Sequence, residues 1–153
     1  DHTADVQIHS WANSLEGAFC DAARGMMNYM YNVDAVEENP ALIEHFRVEY
    51  AREYQARFYS LGSRSLEHLL YAFLEEILFL FATDPYLALK RVEIQDMMSG
   101  PSCFQLSATC FGEEYSRPKH GSKTEIKSVT YSNMIIKQKS DSHVWDIYAI
   151  VDI

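Results

Sequence analysis

The chain has 153 residues, 13 Lys+Arg against 22 Asp+Glu, a formal net charge of −9, and 48% hydrophobic and 13% aromatic side chains. That is the composition of one soluble globular domain, which buries roughly 70% of its unfolded surface and needs no disulfide or metal to fold. Apolar residues run throughout with only 6 Gly and 4 Pro, which excludes collagen-like and disordered chains. The charge is unevenly spread: residues 1 to 114 carry 7 basic and 18 acidic side chains, residues 115 to 139 carry 6 basic and one acidic, and residues 140 to 153 carry three acids. An acidic body disfavours tight nucleic-acid binding, so any contact with RNA or nucleotide must come from residues 115 to 139, whose lysines otherwise read as a solvated hairpin edge.

Val6-Gln7-Ile8-His9 alternates as a half-buried strand. From the N-cap candidate Ser14, the residues Leu15, Ala18, Phe19, Ala22, Met26 and Met30 recur at helical spacing, although Gly17 stands where a capping-box Glu would sit. Residues 39 to 53 fit both a helix opened by Asn39-Pro40 and a strand; a strand is expected at about 54–60. After Ser65, the residues Leu66, Leu69, Leu70, Phe73, Leu74, Ile77, Leu78 and Phe81 form an apolar helical stripe that Thr83-Asp84-Pro85 stops. This stripe is core packing, and with Glu75 and Glu76 inside it the segment is far short of the ~20 apolar residues of a membrane span. Strands follow at Arg91–Met98, Ser102–Cys110, Thr124–Tyr131, Met134–Gln138 and His143–Val151, punctuated by Ser99-Gly100-Pro101, Ser132-Asn133 and Ser140-Asp141-Ser142. Two helices followed by strands predict a single α+β domain over residues 1–153, with the helices packed on an antiparallel or mixed sheet.

Cys20, Cys103 and Cys110 form no CxxC, and the odd spacing of the last two puts them on opposite faces of one strand, which argues against a disulfide scaffold or thiolate zinc site. The six histidines lack metalloprotease spacing and read as surface or satisfied core residues. Walker, GxGxxG and hydrolase GxS motifs are absent. Asp1-His2-Thr3-Ala4-Asp5 precedes the first strand, and Val151-Asp152-Ile153 ends the last. If these strands are neighbours, Asp5, Asp152 and the Ile153 carboxylate form an all-oxygen cluster suited to Ca²⁺, Mg²⁺ or Mn²⁺. Lys127, two and four residues before Val129 and Tyr131, fits a phosphate contact and an ordinary half-exposed strand equally well. Opening on Asp1 rather than Met reads as a trimmed segment, and the unpaired cysteines favour a reducing, cytoplasmic compartment, with the nucleus as a second location.

Taken together, DHTADV, SLEGAFCDAARGMMNYM, SLEHLLYAFLEEILFLF, KHGSKTEIKSVTYSNM and the closing VDI resemble the archease family over nearly the whole chain. The resemblance implies an accessory protein of an RtcB-type tRNA-splicing RNA ligase and its complex, stimulating guanylylation of the ligase by GTP and multiple turnover in exon joining. It implies no catalysis by the chain itself, no tight nucleic-acid binding and no membrane. It also implies a divalent metal on Asp5, Asp152 and Ile153, a ligase-activating role for Lys127 with Asp5 and Asp152, and His2 and Tyr131 as secondary candidates. Residues 37 to 57 read as an insertion relative to the family. The alternative is a stand-alone metal-dependent hydrolase using the same carboxylates, for which His2 is the nearest base.

Overall fold

Polar and apolar residues alternate along β1 (Asp5–Ala12), so Ile8 and Ser10 are buried while Asp5, Gln7, His9 and Trp11 face away from the core. The computed structural model describes residues 4–51, 65–99 and 103–153. Ser10 Oγ donates to the Ala18 carbonyl at 3.0 Å, tying β1 to the helix after it. That helix, α1 (Leu15–Met30), is capped by Ser14, whose hydroxyl accepts the Gly17 amide at 3.0 Å. Gly17 is what the tight entry requires: a Cβ there would stand 2.9 Å from Ser14 Oγ and 3.1 Å from the Ala12 Cβ. Phe19, Ala22, Ala23, Met26 and Met27 form its buried face.

Helix α2 (Ser65–Ala82) contributes Leu69, Leu70, Phe73, Leu74 and Ile77 to the core. The Phe73 ring lies 5.8 Å from Phe19 of α1 and 5.9 Å from Phe46, so one aromatic residue joins both helices to a strand. That strand is β2 (Glu44–Ala51), which resolves part of the ambiguous segment; it follows a 3₁₀ turn at Pro40–Leu42 capped by Asn39. The strand expected at about 54–60 lies outside the described residues. Of residues 37–57, read as an insertion, Glu44–Ala51 are built into a sheet: β2 pairs antiparallel with β4 (Cys103–Glu114), which pairs with β3 (Leu87–Ser99) on its other side.

A second sheet has the order β1-β6-β5, with β5 at Ser128–Gln138 and β6 at Trp145–Asp152. The fold is therefore α+β, and among the described residues its strands form two three-stranded antiparallel sheets rather than one, with α1 and α2 touching strands of both. Residues 115–127 cross from one sheet to the other and contain a short helix, α3 (Arg117–His120), that the sequence pattern did not indicate. Several strand boundaries also differ from expectation, among them the end of β4, at Glu114 rather than Cys110. β3 starts at Leu87, and β5 starts at Ser128 rather than Thr124, because the Lys123 and Thr124 amides donate to the Met30 and Tyr29 carbonyls at the α1 C-terminus. Ser132-Asn133 does not split two strands: β5 runs through it as an irregularity between Thr130 and Ile135, with Asn133 at φ 61. No helix among the described residues is long and apolar enough to cross a membrane.

Candidate functional site

The first and last strands are neighbours, and their register sets Asp5 directly opposite Asp152. The Ile153 amide donates to the Ala4 carbonyl at 3.0 Å, which makes Ala4 and Ile153 a hydrogen-bonded pair and Asp5–Asp152 the adjoining non-hydrogen-bonded pair. Side chains in such a pair share a face, with Cβ atoms roughly 4.5–5.5 Å apart. Two carboxylates so placed repel each other unless a cation or donor intervenes.

Strand β5 completes this end of the sheet. Ser128 is the partner of Asp152 on its other side, and the Lys127 amide donates to the Asp152 carbonyl at 2.8 Å. The turn into β5 is fixed from the helix layer, where a Glu75 carboxylate oxygen accepts the Val129 amide at 2.9 Å. Glu75 was legible only as a charge interrupting an apolar run, and nothing local marked it as the partner of the Val129 amide. Exposed Lys127 also lines a cavity of about 620 Å³ with Met30, Leu78, Phe81, Tyr86 and Tyr115. Asp5, Asp152, Ile153 and Lys127 are thus gathered at one sheet end by four backbone registers. Tyr131 is not on that open face: its ring stacks on His68 at 4.3 Å and meets Tyr71 edge-on at 6.1 Å, within the layer between β5 and α2. His2 lies outside the described residues.

The sequence model of the archease protein family matches residues 1–153. The chain belongs to the archease family. It is 39% identical over 153 residues to a Drosophila melanogaster protein archease-like, spanning all of this chain and 87% of that one. It is also 39% identical over 155 residues to the Danio rerio protein archease, spanning 100% and 82%. The archease-like fold here superposes on the solution structure of a Methanobacterium thermoautotrophicum protein with TM-score 0.70 and 26% identity, covering 100% of this chain and 95% of that one. A Thermotoga maritima archease, described as a possible chaperone, shares the fold alone at TM-score 0.51 and 14% identity, covering 99% and 93%.

Asp5 and Asp152 bring carboxylate oxygens, the donor type that a hard cation takes in preference to zinc. Among the described residues no three His, Cys, Asp or Glu side chains come together, so an ion at the sheet end would meet two side-chain carboxylates plus backbone and water oxygens, the ligand style of Mg²⁺ or Ca²⁺. Of the thiols, Cys20 and Cys110 do not compete. Burial pushes Cys20 up to about 11 and Cys110 up to about 12, leaving both protonated at neutral pH and poor metal ligands.

Of the basic segment between the sheets, α3 is locked by a polar network. The Ser116 amide donates to His120 Nδ1 at 2.9 Å, which assigns the ring proton to Nε2, 2.9 Å from a Glu113 carboxylate oxygen. Lys119 reaches Glu113 and Glu37, and the Glu37 amide donates to Glu113 at 2.8 Å. Burial opposes ionisation of Glu113, but the Glu37 amide, the Lys119 ammonium and the His120 ring outweigh it and hold the carboxyl down at about 2. His120, read from sequence only as a surface or core residue, is fully enclosed and fixes the crossover that carries Lys127 to its sheet end.

Proposed function

We propose that this chain is an accessory protein of an RtcB-type tRNA-splicing ligase, holding one divalent cation at Asp5, Asp152 and the Ile153 carboxyl and stimulating GTP-dependent guanylylation of the ligase. The observation that carries this reading is the Asp5–Asp152 cross-strand pair with Lys127 bonded through its backbone to Asp152. Two like charges directly opposite each other on an open sheet face cost stability, and a bound cation offsets that cost. When bound, the cation supplies positive charge for a phosphate or carboxylate of the partner's site. The carboxylates hold and orient that charge; Lys127, tied to Asp152 through its backbone amide, lines the neighbouring cavity and offers the partner a separate cationic contact there. Membership of the archease family supports an accessory role; the chain's own part is to bind and position, with the bond-making left to the ligase and its GTP.

The test is guanylylation of a cognate ligase by labelled GTP, with and without substoichiometric amounts of this protein. Stimulation by the wild type, lost in Asp5→Ala, Asp152→Ala and Lys127→Ala, is the expected result. Because the two aspartates serve one ion, the double variant should lose no more than either single one. Phosphoester hydrolysis by the purified chain with no ligase present would overturn the accessory role in favour of a metal-dependent hydrolase.

A further inference from the structure

At the opposite end of the same open sheet face lies a second group of side chains, six residues along β1 from Asp5 and so roughly 20 Å away. The register places His9 beside Tyr148 and Trp11 beside Asp146, with Lys137 of β5 completing the last row. The His9 ring lies flat on Tyr148, with centroids 4.2 Å apart and planes 4° from parallel, and meets Trp11 at 4.9 Å and 44°. Trp11 is 58% exposed. The His9 ring is pinned from behind: Nε2 is 2.9 Å from Oδ1 of Asp146, whose side chain is only 4% exposed. Lys137 Nζ stands 5.8 Å from the centre of the Tyr148 ring. Lys139 Nζ is 3.9 Å from Asp146 Oδ2 and remains largely exposed. A groove of about 370 Å³ runs between His9, Tyr148 and the two lysines.

We propose that this aromatic and lysine face binds a short single-stranded nucleic-acid segment, with a base stacked on Trp11 or the His9–Tyr148 stack and its phosphates on Lys137 and Lys139. Three features favour that occupant. Flat rings held in fixed orientation on an open sheet are stacking platforms for bases, which all present a π-face. The charge is complementary and local: in a chain of net charge −9, both lysines come from the one basic stretch, and the buried Asp146 facing them is already engaged by His9 and Lys139. A nearby acid, Asp21, is occupied by the Trp11 amide at 3.4 Å. Finally, among the described residues β1 and β5 are the edges of this sheet, so a strand of nucleotides lying across the face runs from one edge to the other. Two lysines against an acidic body give weak, strongly salt-dependent affinity, in keeping with the absence of tight binding expected from the overall charge.

The experiment is fluorescence-anisotropy titration of 5′-labelled A₈ and U₈ RNA at about 50 mM and about 150 mM salt, where few-phosphate contacts remain measurable. Saturable binding is expected, about tenfold weaker for Trp11→Ala, retained in Trp11→Phe, and weaker with a shallower salt slope, by roughly 0.7 per lysine removed, for Lys137→Ala/Lys139→Ala. All of these positions are solvent-facing, so circular dichroism should show the variants folded. A duplex of the same sequence should bind less well, its bases being already stacked inside. No saturable binding at millimolar oligonucleotide, or equal affinity of Trp11→Ala and wild type, overturns the proposal. So does sedimentation showing that this face instead joins two copies of the chain in a dimer that Trp11→Ala dissolves.

Discussion

Replacing Asp5 by Asn tests the sheet-end reading with opposite signs in two conditions. In the absence of divalent metal, Asp5 and Asp152 are like charges in a non-hydrogen-bonded cross-strand pair, an arrangement that destabilises by roughly 0.2–1 kcal/mol. Asp5→Asn keeps the shape, removes one charge and so should raise Tm in EDTA by about 1–3 °C for a chain of this size. With Mg²⁺, Ca²⁺ or Mn²⁺ present the order should reverse. At ten times its Kd an ion that binds only the folded chain adds about 1.4 kcal/mol to the wild type, or roughly 3–5 °C, while the variant with one carboxylate fewer gains little. Differential scanning calorimetry across an EDTA-to-metal series reads both effects. A lower Tm for Asp5→Asn in EDTA, or an equal metal shift in wild type and variant, would refute a paired-carboxylate cation site.

Gly112 is opposite Leu89 in β4, and a Cβ on it would lie 2.0 Å from the Ala88 carbonyl oxygen, so Gly112→Ala must push β3 and β4 apart; a loss of about 1–3 kcal/mol in chemical denaturation is expected. Glu113 is held at about 2 in the folded chain, below the roughly 4.3 of an unfolded glutamate, so its contribution is complete above the unfolded value and is lost as pH falls through the folded one. Glu113→Gln should therefore flatten the fall of Tm between about pH 4.5 and pH 2, and an unchanged acid limb would show that the network adds nothing. Lys127→Ala, at an exposed position, should leave stability within about 0.5 kcal/mol while impairing ligase guanylylation; a large drop in Tm would make it a structural residue.

The two long helices were legible in the sequence, because periodicity and caps are local: Ser14 caps α1, and α2 ends at Ala82 just before the Thr83-Asp84-Pro85 stop. The alternation in β1 was equally plain, as were Asp5, Asp152, Ile153 and Lys127 as residues worth placing. Strand partnership was not legible, since β1–β6 and β2–β4 join residues from about fifty to about a hundred and fifty positions apart and leave no local mark. Sequence could not say that Asp5 faces Asp152, that β2, β4 and β3 form a sheet of their own, or that Tyr131 turns toward α2. Nor could it separate His9, pinned to Asp146 on the open face, from His120, buried against Glu113, because both depend on which distant carboxylate folding brings within reach. Local sequence thus determined the elements and the kinds of chemistry available, and the long-range register of two sheets decided which groups meet and which face they share.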